Sequence, residues 1–76
     1  MDSRIITNPE ILGGKPCIRG TRISVEFILE LAASGATRDE IALAYPQLTT
    51  QDVESALRFA AAYLRNDALE ELELPR

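Results

Sequence analysis

Between Thr50 and Leu64 the apolar residues Val53, Ala56, Leu57, Ala60, Ala61 and Leu64 recur at steps of three and four. That is the period of an amphipathic helix with one apolar face. Thr49 or Thr50 can cap its start, and Leu48 is placed to staple back onto the first turn. Phe59 and Tyr63 form a second apolar pair on a neighbouring face. One small fold does not readily cover both faces, so self-association and packing of both in the core stand as equal expectations. Upstream, Val25–Ala33 carries only Glu26 and Glu30 as charges, one turn apart. So narrow a polar face predicts a helix buried at the centre of the fold. Ser24 caps it, and Gly35 supplies the left-handed residue that stops it. Thr37-Arg38-Asp39-Glu40 is a capping box opening a second helix with Ile41, Ala44 and Tyr45, which Pro46 ends.

The N-terminal third follows a different period. Ile5–Thr7 reads as a short strand stopped by Asn8-Pro9. Cys17-Ile18-Arg19 and Arg22-Ile23 alternate around Gly20-Thr21, which predicts a β-hairpin with Ile18 and Ile23 inward and Arg19 and Arg22 at its tip. Beyond Arg65, Asn66 or Asp67 ends the third helix. Asp67 to Glu70 repeats a cap-to-Glu spacing, and Leu69, Leu72 and Leu74 punctuate an acidic tail. The fold class is therefore mainly α: an N-terminal β-hairpin, a three-helix helix-turn-helix bundle and a short helical tail. Residues 1–65 form the domain, and residues 66–76 form the tail, a candidate partner-binding segment.

Composition narrows the chemistry. At 76 residues one domain is expected, and a chain this short is marginal alone. Its 46% hydrophobic content points to a face covered by a partner or a second copy, with a homodimer as the simplest case. The single Cys17 forms no internal disulfide and reads as a small buried apolar residue. Cysteine usage favours a cytoplasmic location, and no signal peptide or membrane span is expected. With no histidine and one cysteine, zinc sites and Ser-His-Asp or Cys-His nucleophiles are excluded.

Gly13-Gly14-Lys15 fails as a phosphate loop: Pro9 stands where the first glycine belongs, and Pro16 follows the lysine. Of the adjacent carboxylates, Asp39-Glu40 and Asp52-Glu54 fall in helix first turns, where acids favour the macrodipole. Glu70-Glu71 lies in the tail. No catalytic residue, metal or cofactor is expected, and the chain reads as a binding module rather than an enzyme. In the helix-turn-helix, Gln51 and Arg58 are the side chains suited to base edges. Asp52 and Glu54 beside them repel phosphate, and the net charge of −4 gives no general attraction to DNA. Lys15, Arg19 and Arg22 of the hairpin are the better phosphate contacts. The plainer alternative, solvated edge-strand charges that discourage aggregation, stands beside that role.

The run Gly14-Lys15-Pro16-Cys17-Ile18-Arg19-Gly20-Thr21-Arg22-Ile23-Ser24-Val25 has a specific likeness, preceded by Ile6-Thr7-Asn8-Pro9 and followed by Tyr45-Pro46-Gln47-Leu48-Thr49, Asp52-Val53 and Ala56-Leu57. It resembles the signature of a small prokaryotic family catalogued as the four-hundred-and-thirty-third domain of unknown function, over roughly Ile5 to Tyr63. Members of that family resemble VapB-like antitoxins encoded beside a PIN-like ribonuclease. The resemblance implies a homeodomain-like or winged helix-turn-helix, usually oligomeric. It also implies a cytoplasmic antitoxin role: covering the nuclease and repressing the operon through DNA. It transfers no catalytic residue. PIN-like nucleases hold metal with clustered carboxylates, which an antitoxin blocks with an arginine or an apolar cover. Phe59, Tyr63, Arg65, Leu69, Leu72, Leu74 and Arg76 are the candidates for that contact. The rival readings are a stand-alone helix-turn-helix regulator and a non-catalytic dimerisation module.

Overall fold

A computed structural model describes residues 3–65. The order is β1 (Ile5–Ile6), a 3-10 turn at Leu12–Gly14, β2 (Cys17–Ile18), α1 (Val25–Ala33), α2 (Arg38–Ala44) and α3 (Thr50–Leu64). The mainly α class, with an antiparallel two-stranded hairpin followed by three helices, is the one expected. The tail from residue 66 lies outside the described residues.

The hairpin pairs differently from the expectation. β1 and β2 are antiparallel partners, with Ile5 opposite Ile18 and Ile6 opposite Cys17. Residues 7–16 join them through a turn in which Asn8 accepts from both Ile11 and Glu10: its carbonyl from the Ile11 amide (2.8 Å), its side-chain oxygen from the Glu10 amide (2.9 Å). Between Cys17 and Ser24 there is only one bridge, reinforced by the Ile18 amide donating to the Ile23 carbonyl at 3.0 Å. Thr21 is the reason. Its amide and its hydroxyl both donate to the Ile18 carbonyl (3.0 and 2.8 Å), and its oxygen accepts from the Ile23 amide at 3.0 Å. A side chain thus satisfies groups that a second ladder would have used. Gly20 holds φ +81°, which the third position of so tight a turn requires. The Arg19 amide turns to the Arg4 carbonyl (2.8 Å), extending the β1 side instead. Ile18 is buried and Ile23 packs partly buried against the core, both inward as expected.

Each helix begins where local chemistry directs it. The Ser24 hydroxyl accepts from the Phe27 amide at 2.9 Å. Thr37 and Glu40 form a reciprocal capping box on α2. Thr49, of the two candidate threonines, caps α3, with Asp52 as its reciprocal partner. The end of α1 is a Schellman motif: the Gly35 amide donates to the Ala32 carbonyl and the Ala36 amide to the Leu31 carbonyl. Gly35 sits at φ +106°, and a Cβ there would meet nothing within 4 Å. Gly35→Ala is therefore expected to lower stability by about 1 kcal/mol through backbone strain alone. A urea midpoint unchanged from the parent would contradict this.

The core gathers Ile5, Ile18, Val25, Ile28, Ile41, Leu48, Val53, Ala56 and Ala60, with Cys17 buried beside β1. The central element is α3, not α1. It packs against α1, α2, β1 and β2, and presents Val53, Ala56 and Ala60 to them. α1 buries only Val25 and Ile28 fully, while Phe27, Leu29 and Leu31 stay partly exposed at the flank. The scarcity of charge on α1 reflects this half-covered flank. Phe27 meets Tyr45 edge-on, with ring centroids 5.5 Å apart.

Candidate functional site

The α2–α3 connection, Tyr45–Thr49, sets α3 across the molecule, and the hairpin folds onto its first turn. Arg4, next to β1, makes that junction. Its guanidinium donates to Asp52 Oδ1 and to Gln51 Oε1, each at 3.1 Å. Asp52 is buried and also accepts from the Thr49 amide at 2.9 Å. Of the side chains at the start of the candidate recognition helix, Gln51 and Asp52 are thus engaged by the protein itself. Gln51 is exposed and its oxygen is committed, while among the described residues its amide N–H groups donate to no group. Arg58 lies two turns further on the same side of α3, exposed.

The three hairpin cations do not converge on one cradle. Lys15 pairs with Glu26 in the first turn of α1, Nζ to Oε1 2.9 Å, both side chains exposed. The hydrogen bond and charge of Glu26, with a smaller contribution from Glu30, raise the Lys15 pKa above its ordinary 10.5. Arg19 Nε donates to the Ser3 carbonyl at 2.8 Å. Arg22 alone of the three makes no hydrogen bond or ion pair among the described residues. It lines a shallow cleft with Ile11, Gly20, Thr21 and Gln47. A second cleft is lined by Ser3, Arg4, Ile18, Arg19 and Asp52.

At the other end of α3 the surface changes character. Every residue from Ala61 to Arg65 is exposed, including Tyr63 at 66% and Leu64 at 50%. Leu57, at 37%, lies one turn before Ala61 and two before Leu64, so the three form an apolar seam. Phe59, partly buried against the core, stacks on Tyr63 with centroids 6.3 Å apart and planes at 15°. The structure therefore divides the expected pair: Phe59 serves the core and Tyr63 the surface. Arg65 is exposed at the helix end. Leu69, Leu72, Leu74 and Arg76 lie outside the described residues.

Periodicity did not single out Arg4, Gln47 or Leu43. Leu43, on α2, is 84% exposed. Only the placement of Arg4 beside a strand and of Gln47 after a helix-ending proline marks the other two. Among the described residues no three His, Cys, Asp or Glu side chains gather to hold a metal ion, and no helix is long and apolar enough to cross a membrane.

A short antiparallel hairpin docked on three helices, the second and third joined through Tyr45–Thr49, defines a small, mainly helical class. Residues 5–60 match the family described as protein of unknown function (DUF433), and the chain belongs to that family. It is similar to the crystal structure of a DUF433 member from Anabaena variabilis ATCC 29413, with a TM-score of 0.71 and 30% identity over 87% of this chain and 61% of that one. It is also 33% identical over 58 residues to the uncharacterized protein y4eO of Sinorhizobium fredii (strain NBRC 101917 / NGR234). That match takes in 76% of this chain and 26% of the relative, so the chain spans about a quarter of y4eO and under two thirds of the solved one.

Proposed function

We propose that this protein is an antitoxin-like binding module that covers a PIN-like ribonuclease and, in that complex, contacts operator DNA. The observation that carries the reading is the apolar seam of Leu57, Ala61 and Leu64 at the end of α3, with Tyr63 exposed on the neighbouring face, just before the leucine-containing tail in the sequence. An exposed apolar seam followed in the sequence by an acidic leucine-containing segment suits a groove in a second protein. Arg65, exposed at the junction, is placed to enter a carboxylate cluster on that partner. A second copy of the chain is the competing occupant of the same stripe.

The DNA half of the reading rests on less. Arg58 and the amide nitrogen of Gln51 share one side of α3, whereas Lys15 and Arg19 are tied to Glu26 and Ser3. Any DNA contact is therefore expected from the complex rather than from the free chain, whose charge of −4 opposes it.

The test is co-expression of the tagged chain with the product of the adjacent reading frame, followed by affinity purification and an RNA-cleavage assay. A stoichiometric complex with silenced nuclease activity is expected, and Tyr63→Asp together with Leu64→Asp should weaken it at least tenfold. Recovery of the chain without a partner would overturn the reading. Salt-dependent binding of the purified chain to DNA would then favour the stand-alone regulator, and a homodimer with no DNA affinity the dimerisation module.

A further inference from the structure

The cleft at the hairpin tip carries several donors that no acceptor among the described residues takes up, although both donors of Thr21 are spent on the Ile18 carbonyl. Three separate segments build it: Ile11 from the β1–β2 connection, Gly20, Thr21 and Arg22 from the turn, and Gln47 from the α2–α3 connection. Arg4, Lys15, Arg19 and Arg38 each hydrogen-bond or pair with an acceptor of the protein. Among the described residues, neither the Arg22 guanidinium nor the Gln47 carboxamide has such a partner, and the backbone amides of Gly20 and Arg22 donate to no group. The left-handed turn at Gly20 fixes this arrangement, and the space where its Cβ would lie is open to 4 Å. A ligand can therefore approach the backbone of the turn directly.

We infer that this cleft is a seat for a carboxylate borne on a short aliphatic arm, such as a glutamate of an acidic protein segment. The planar fork of Arg22 matches a carboxylate with two parallel N–H···O bonds. The Gln47 amide supplies a second donor from the opposite connection. Ile11 offers an apolar wall against which the methylenes of the arm lie. A nucleic-acid backbone fits less well. Such a backbone carries a charge at every phosphate, whereas the seat holds a single cation, enough for one carboxylate. The inference goes beyond the nuclease reading, because it assigns a ligand chemistry to a surface distant in sequence from the end of α3 and holds whichever protein binds there.

The experiment is an amide NMR titration of the full-length, isotope-labelled chain. The probes are acetyl-Leu-Glu-Leu-amide, its glutamine counterpart acetyl-Leu-Gln-Leu-amide, inorganic phosphate and a 12-base-pair duplex. The glutamate peptide is expected to give saturable shifts at the amides of Gly20, Thr21 and Arg22 and at the Gln47 side chain. The glutamine peptide should bind at least tenfold more weakly. Arg22→Gln should abolish the glutamate response, and Arg22→Lys should retain part of it. The glutamine-peptide comparison is made on the unaltered chain, so it holds even if a variant folds poorly. Equal response to both peptides would overturn the proposal, as would no localised shift. So would phosphate or duplex moving the same signals at lower concentration than the peptide, which would assign the seat to a free phosphate or to a nucleic-acid backbone respectively. Loss of nuclease binding on altering Tyr63 and Leu64, with the peptide response intact, would separate the two sites.

Discussion

Replacing Ile28 by alanine is expected to leave the chain substantially unfolded at 25 °C. Ile28 is fully buried in α1, in the same core cluster as Ile41, Val53 and Ala56. Truncating such a side chain removes its transfer free energy and leaves a cavity, together about 2–5 kcal/mol. A single core in a domain this small rarely supplies more than about 3–5 kcal/mol in total. The substitution thus consumes most of the margin. Leu43→Ala is the matched control: Leu43 is 84% exposed, and its loss should change stability by no more than about 0.5 kcal/mol. Urea unfolding followed by circular dichroism reads both. A parent-like midpoint for Ile28→Ala would mean the core is not centred where it is described.

Asp52→Ala should have the next largest effect, although an aspartate at the start of a helix usually matters little. Asp52 closes the capping box by accepting from the Thr49 amide, pairs with Arg4 across 48 positions of sequence, and sits at the positive end of α3. Loss of a cap costs about 1 kcal/mol. A charge-assisted bond contributes a further ~1 kcal/mol here, discounted because the Arg4 side chain is 41% exposed. A loss of about 2 kcal/mol is expected for Asp52→Ala and less for Arg4→Ala. The double variant should fall short of their sum by about 1 kcal/mol, because the two share one interaction. Asp52→Asn keeps an acceptor for the Thr49 amide and should recover roughly half the loss. Strict additivity would show that the hairpin is not pinned to α3 through this pair.

These two residues also mark what the sequence made legible. Caps are local chemistry, so Ser24 and the Thr37–Glu40 box could be placed from four-residue patterns, and the structure keeps them. Thr49–Asp52 carries an aspartate where that signature has glutamate or glutamine, yet the structure closes a box there. The sequence marks Asp52 only as a dipole partner and a repeller of phosphate, because its pairing with Arg4 lies 48 positions away. The hairpin failed differently. Alternation from Cys17 to Ile23 is real, but a threonine hydroxyl can satisfy the groups that a ladder would use, and period alone does not distinguish the two. The pairing of Ile5–Ile6 with Cys17–Ile18 is non-local, and a two-residue strand carries too little pattern to announce a partner. The centrality of α3 was hidden for a related reason. Ala56 and Ala60 are weak hydrophobic signals yet become buried packing surfaces, whereas the bulkier apolar residues of α1 draw more weight than their half-covered positions justify. Among the site candidates, Arg22, Arg58, Tyr63 and Arg65 are exposed, but the internal engagement of Lys15, Arg19 and Gln51 depends on chain segments far from them.

The long reach from Arg4 to Asp52 bears on how the protein is made. Synthesis proceeds at about 5–20 residues per second, so some 2–10 s separate the appearance of the two partners. During that interval β1 has left the peptidyl-transferase centre, while the helix turn on which it docks does not yet exist. The core cannot close as the chain emerges and must close after α3 clears the exit tunnel. β1 can pair with β2 early, but the face it lays on α3 stays uncovered until that helix is made, and a chaperone acting on the nascent chain would find Ile5 there.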